Sequence, residues 1–244
     1  MTLRYGFFIY SPDIADLLWD GEEVIYVDYL VSVFQDLTEL TPLTLSLLAA
    51  IVLTAVLLMI LEPRANFNSR AIVYGGLCTA IAFVLSYLRL YHWPQGGSIT
   101  PASMLPMFVY ASIFGPAAGI AAGAVYGILQ LIQDPFIVHP VQVLLDYVIA
   151  FAALGLAGFC RKNISAGVLL GGFGRFFSSF LSGVIFFASY APENMSPVIY
   201  SILVNGMIIG TDTLICFVVS LLPQVRALVE RLKKNIATQA GQQV

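Results

Sequence analysis

From residue 43 onward the chain alternates long apolar runs with short polar breaks. Runs at 43–61, 70–91, 116–133, 138–160, 164–189 and 196–222 come close to or exceed the roughly 20 residues that carry a helix across hydrocarbon. A further run, 100–115, is short for a span. It contains Pro101 and Pro106, so the reading is a tilted helix or one broken at Pro106, because proline lacks the amide proton a helix interior needs. The pattern predicts seven membrane-spanning helices. Along 116–133, Gly115, Gly119, Gly123 and Gly127 recur every four residues, a ridge on which another helix can pack closely. The loop 92–99 has no acidic or basic residue apart from His92. It holds Trp93, Pro94 and two glycines, a composition that suits a shaped, adjustable lid. Residues 1–42 differ, mixing aromatic and acidic residues, with short amphipathic stretches at 14–18 and 24–33.

Composition fixes the class. Hydrophobic residues make up 59% of the chain, charged ones 10%, and the mean hydropathy is +0.89, against about 45–50% and about 25% for a soluble domain. The expected fold class is an all-α polytopic membrane bundle in which 70–222 is the membrane core. A leader (1–42) and an extra span with its loop (43–69) precede that core, and a basic tail (223–244) follows it. No cleavable signal is evident, so the first span is expected to insert as an anchor.

Charge sets the orientation. Eight of the 14 acidic residues lie before residue 43, where Arg4 is the only base. Arg64, Arg70, Arg161, Lys162, Arg226, Arg231, Lys233 and Lys234 all flank one set of connections when seven spans are counted, which makes those connections cytoplasmic. The amino terminus, the lid loop, Asp134 and Glu193 then face outward, with the carboxyl terminus inside. Cys78, Cys160 and Cys216 stand far apart in apolar segments and read as packing residues, without metal-ligand spacing. No GxxxxGK[ST] stretch is present, so ATP hydrolysis would have to come from other polypeptides. No nucleic-acid partner is implied, and the surrounding partner is membrane lipid.

The polar residues inside the spans carry the chemistry. Asp146 sits in the 138–160 run, where a charged group is costly unless it faces a cavity or a partner. His139, Gln142 and Asp146, at i, i+3 and i+7, share a helix face and form either a binding stripe or a cluster that ties helices together. Asp146 lies about 12 Å below the outer surface at about 1.5 Å per residue, within reach of a ligand from outside. Arg175 is a second intramembrane charge, with Asp146 and Asp212 as candidate partners. Phe186, Phe187, Tyr190, Tyr200 and Asn205 lie in the outer half of the last two spans. Aromatic faces around a carboxylate suit a flat, cationic or amino-bearing heterocycle. Two further readings stay open. Asp146 and Asp212 could form an intramembrane aspartyl protease, since Gly210-Thr-Asp212 is faintly like a GxGD motif, although Asp212 counts as about 15 residues below the outer end of its span, away from the outer cavity. A stand-alone secondary transporter is the other.

Five stretches, in one order, resemble the thiamine-specific substrate-binding (S) components of energy-coupling factor transporters. They are PQGGSIT (94–100), MLPMFVYASIFG (104–115), HPVQVLLDYVIAF (139–151), SGVIFFASYAPE (182–193) and YSILVNG (200–206). The resemblance implies a six-helix substrate-binding domain in a bacterial plasma membrane. Such a domain takes thiamine, or a close thiamine precursor, from outside and hands it inward with a shared transmembrane scaffold and two ATPases. It is not itself an enzyme and carries no cofactor or metal. By the same resemblance Asp146 holds the aminopyrimidine, with Tyr147 beside it. Phe187 stacks, Tyr200 and Asn205 lie near the thiazolium, Gly183 is a close-contact position, and Trp93 caps the site. Ala71-xxx-Gly75 and Gly76-xxx-Ala80 resemble the face that docks on the scaffold. Ser179 departs from the family, whose members carry a His one turn after the position of Arg175, and Phe187 replaces a frequent Trp. The leader and the 43–61 span are extra to the six-helix pattern.

Overall fold

The structure is a computed structural model, described over residues 68–93 and 97–241. The leader, the 43–61 span and the lid tip 94–96 lie outside the described residues, and with them the count of seven spans. Within them, six apolar helices follow one another. These are α1 (Ser69–Ser86), α2 (Leu105–Phe114), α3 (Pro116–Gln133), α4 (Pro140–Cys160), α5 (Ile164–Phe186) and α6 (Pro197–Leu221), and all but α2 are long and apolar enough to cross a membrane. An amphipathic helix, α7 (Pro223–Gly241), closes the described chain. A two-stranded antiparallel ladder, β1 (Tyr91–His92) with β2 (Ser98–Ile99), joins α1 to α2.

The helix starts follow from side-chain chemistry. The Asn68 side chain accepts from the Ala71 amide, Asn163 from Ser165 and Ala166, and Ser196 from Ile199, so each satisfies amides that the first turn leaves open. Pro116, Pro140 and Pro197 sit in first turns, where a missing N–H costs nothing. Pro106 does the same, which corrects the expectation of a break there: α2 begins at Leu105 with Pro106 in its opening turn. At about 1.5 Å per residue α2 reaches only about 15 Å. Thr100 and Ser103, ahead of it, run as buried non-helical chain. Such backbone is tolerated at membrane depth only where protein groups satisfy it.

The glycine ridge of α3 is used for packing. A methyl group added at Gly123 would stand 2.3 Å from the Phe151 carbonyl oxygen, and one at Gly127 would stand 2.3 Å from that of Tyr147. From the other side, Gly155 of α4 meets Ile120 of α3 with the same lack of room, 2.2 Å to its amide nitrogen. Helices α3 and α4 are therefore in backbone contact. The core around them includes Met107, Phe108, Tyr126, Phe151, Leu154, Val168 and Cys216, the last fully buried as a packing cysteine. Ile72, Val73, Phe173, Leu214 and Val218 are more than half exposed, the outer face expected of a bundle solvated by lipid. The protein is a multi-pass, all-α membrane bundle.

Two helices depart from α geometry at polar residues. In α4 the turn Leu144–Ile149, which carries Asp146, is widened to π spacing, and Ala153–Cys160 is tightened to 3-10. In α6, Gly206–Gly210 is likewise a π turn, directly after Asn205. Single π turns inside α-helices occur often at functional sites.

Candidate functional site

A cavity opens between α1, α3, α4, α5, α6 and the chain leading out of β2. Its wall includes Asp146, Tyr147, Gln142, Arg175, Ser179, Gly183, Phe187, Tyr200 and Asn205, nine of the eleven residues expected at the site. Helix periodicity explains the convergence on α5, where Arg175, Ser179 and Gly183 recur every four residues along one face. Asn205, Ile208 and Asp212, spaced three and four apart, line the cavity from α6 across its widened turn.

Asp146 is the acceptor at the centre. Its Oδ2 receives the Gln142 amide at 2.7 Å and the Ser182 hydroxyl at 2.8 Å. Tyr147 beside it is committed to structure at its polar end. Its hydroxyl donates to the Asp134 carbonyl at 2.8 Å and accepts the Phe136 amide at 2.9 Å, which leaves the ring as cavity wall. Phe136 lies 5.8 Å from Phe187, with the planes 21° apart, and both line the cavity. Tyr200 adds another aromatic wall residue. Asn205 donates its amide to the carbonyls of Ser179 at 3.2 Å and Ser201 at 3.1 Å. That contact depends on Gly183, because a methyl group there would stand 2.2 Å from the Ser201 hydroxyl and 3.1 Å from the Asn205 nitrogen. Gly183 is thus what lets α5 and α6 close at the cavity.

Arg175 pairs with Asp212, not Asp146. Its guanidinium lies 3.6 Å from Asp212 Oδ2 and 4.2 Å from the centroid of the Phe151 ring. Asp212 also accepts at Oδ1 from the Thr100 amide, 3.0 Å, and the Thr100 hydroxyl, 2.8 Å. Asp212 therefore lines the cavity, against the expectation that it lies away from it. The chain following β2 descends into the bundle to reach it, and residue counting along a single helix does not register that descent. The two carboxylates have separate partners, and among the described residues no hydrogen bond joins them. A shared-proton dyad needs two acids in contact. With Asp212 held by a cation, the arrangement is not that of an aspartyl protease, and it reads as a binding pocket.

His139 and Trp93 fall outside the wall. His139 starts α4 instead, with Nδ1 accepting the Val141 amide at 3.0 Å and the ring stacked 4.9 Å from Phe186. Only Gln142 and Asp146 of the expected polar stripe face the cavity, because capping takes the histidine. Trp93 packs edge-on against Tyr91, 5.7 Å away, and its amide donates to the Gly97 carbonyl across the ladder. At the cavity rim Asp134 bridges Arg89 at 3.2 Å and His92 at 3.0 Å. The expected docking motifs divide between two faces of α1. Ala71 and Gly75 are buried, with the Tyr110 hydroxyl donating to the Ala71 carbonyl at 3.0 Å, so they serve contacts within the bundle. Gly76 and Ala80 are exposed.

The profile of the thiamine transporter protein family (Thia_YuaJ) matches residues 72–231. The chain belongs to this family. The match spans the cavity and all six apolar helices apart from the first residues of α1. Among relatives, the thiamine transporter ThiT of Bacillus subtilis is 32% identical over 162 residues, covering 59% of this chain and 84% of the relative. ThiT of Lacticaseibacillus paracasei is 32% identical over 123 residues, covering 42% and 61%. A solved structure of ThiT from Listeria monocytogenes superposes with a TM-score of 0.59 at 25% identity, covering 66% of this chain and 98% of that one. The family is one of transporters, which fits a pocket without a catalytic dyad.

Sequence reasoning passed over part of the wall. Ser86, Gln130 and Gln133 join α1 to α3 through bonds of 2.7 Å (Ser86–Gln133) and 2.8 Å (Gln130–Ser86), and all three line the cavity. Gln130 and Gln133 stand at i and i+3 near the C-terminal end of an apolar helix, the same signal that pointed to Gln142. Phe136 and Thr100 sit in connections, where periodicity carries no information.

Proposed function

We propose that the chain binds thiamine, or a close thiamine precursor, in this cavity from the outer side of the membrane. The observation that carries the reading is the Asp146 carboxylate, presented to a cavity walled by Phe136, Phe187, Tyr200 and the Tyr147 ring. Asp146 accepts the N–H groups of the aminopyrimidine, and the aromatic walls stack on the rings and attract the thiazolium charge. The aspartate acts as acceptor where a neutral amide would present a donor. Ser179 offers a hydroxyl in place of the family's imidazole, so this part of the wall is smaller and less basic. Family membership and the named relatives support thiamine as the ligand.

The chain then works as the substrate-binding subunit of an ATP-driven importer, with a separate transmembrane scaffold and two ATPase subunits. The exposed Gly76 and Ala80 of α1 are its contact with the scaffold. The carboxyl terminus lies in the cytoplasm and the amino terminus outside. The clustering of basic residues supports the first of these: the Lys233 ammonium donates to the Arg161 carbonyl, so the α4–α5 turn and α7 share one end.

Calorimetry of the purified chain with thiamine, thiamine monophosphate and the isolated pyrimidine half tests the reading. Thiamine is expected to bind most tightly and the pyrimidine half measurably, because it carries the groups that Asp146 accepts. A chain that releases no heat with thiamine, or that binds the thiazole half alone as tightly, contradicts it.

A further inference from the structure

Gln142 is almost fully buried, yet every polar group of its side chain has a partner. Its Nε2 donates to Asp146 Oδ2 at 2.7 Å and to the Phe136 carbonyl at 3.2 Å, while its Oε1 accepts the Val138 amide at 3.1 Å. Both amide protons and the carbonyl are in use, and only one orientation allows it. Turned over, the amide would set its oxygen against a carboxylate and a carbonyl, and its protons against an N–H. Ser182, fully buried on α5, donates to the same Oδ2 at 2.8 Å. Oδ2 therefore carries two protein donors, and the Ser179 side chain is a further hydrogen-bonding neighbour of the carboxylate. Gln142 and Ser182 fix the oxygen they share, and with it where the carboxylate meets the cavity.

The same amide holds a second part of the wall. By binding the Phe136 carbonyl and the Val138 amide it fixes the chain that carries the Phe136 ring, and that ring lies nearly parallel to Phe187. The acceptor and the aromatic wall are thus set against each other through one side chain. A flat ligand that must stack and donate an N–H at once needs that spacing to be fixed, since small misplacements of a binding group lose most of its contribution.

We infer that Gln142 is a positioning residue, holding the Asp146 carboxylate in register with the Phe136–Phe187 wall, and that Ser182 completes the hold on the carboxylate from α5. This rests on the thiamine reading above. The role is specific to the amino group of the ligand, and that separates it from a purely structural one.

The test compares thiamine with an analogue carrying hydrogen in place of the pyrimidine 4-amino group, by calorimetry on the full chain, the Gln142→Met and Ser182→Ala variants, and Asp146→Asn as reference. Each of the first two variants is expected to weaken thiamine by about tenfold, the scale of one charge-assisted hydrogen bond, and the analogue by much less. Both variants would then lose most of the preference for thiamine, as Asp146→Asn does. Equal weakening of both ligands would mean a structural role and would overturn the inference, as would unchanged thiamine binding. If Gln142→Met does not fold, Ser182→Ala decides by the same ratio. If the unaltered chain binds no thiamine, or Asp146→Asn binds it unchanged, the thiamine reading itself falls and the inference with it. A normal Asp146→Asn loss with no effect of Gln142→Met or Ser182→Ala sinks the inference alone.

Discussion

In the Arg175–Asp212 pair the carboxylate is buried and the guanidinium nearly so, and what each partner has besides the other sets the energetics. Arg175 keeps the Phe151 ring and the Met104 Sδ, to which it donates at 2.8 Å, and Asp212 keeps the amide and hydroxyl of Thr100. Asp212→Asn preserves an acceptor for Thr100 but leaves the guanidinium without its counter-charge, a change that typically costs about 3–5 kcal/mol at a buried pair. Thermal unfolding in detergent should show that loss, and the double variant Arg175→Met with Asp212→Asn should recover much of it. A double variant less stable than Asp212→Asn alone would mean that the pair is not what stabilises this region. At the same scale, the placement of Asp146 at a cavity was legible from the sequence because a lone carboxylate in an apolar run has few explanations. The partner of Arg175 was narrowed to Asp146 and Asp212 but not decided between them. Thr100 went unseen, because it sits in a connection and only the fold brings it to Asp212, 112 residues away.

At the scale of elements, the α3–α4 contact fixes the depth and rotation of the helix that carries Asp146 and Tyr147. Gly127 abuts the Tyr147 carbonyl so closely that a methyl group has nowhere to go, and the opposing atom is backbone. Gly127→Ala should therefore separate the two helices, cost about 1–3 kcal/mol as overpacking does, and weaken ligand binding by moving Asp146. Gly206→Ala, at a position with nothing within 4 Å, is the control and should leave unfolding near that of the parent. Equal effects of the two substitutions would contradict the packing account. The four-residue glycine repeat revealed this ridge in the sequence, since spacing alone puts small residues on one face. The widened turns at Leu144–Ile149 and Gly206–Gly210 left no such mark. They depend on tertiary contacts, and neither proline nor charge announces them. Pro106 misled for the opposite reason: proline signals a break in a helix interior and a start in a first turn, and the difference lies in where the helix begins.

For the whole molecule, the described basic residues of the α4–α5 turn and α7 gather at one end, with Asp134 and the β1–β2 ladder near the cavity rim. A cysteine engineered at Glu193 should react with an impermeant reagent added to intact cells, and one at Lys234 only after the membrane is opened. The same accessibility at both positions would overturn the orientation. Hydropathy made the membrane class and the six-helix core readable, because lipid leaves the chain few alternatives to helices. It did not show which of the spaced polar residues meet, and His139 and Trp93, expected at the site, line no part of the cavity. The account stands or falls on the ligand and on the carboxylate that receives it. The most direct measurement is the dissociation constant for thiamine of the intact protein and of Asp146→Asn, which keeps the shape and replaces an acceptor with a donor. The account predicts about tenfold to a hundredfold weaker binding by the variant, the equivalent of about 1.5–3 kcal/mol. Thiamine bound as tightly by Asp146→Asn as by the parent would contradict it.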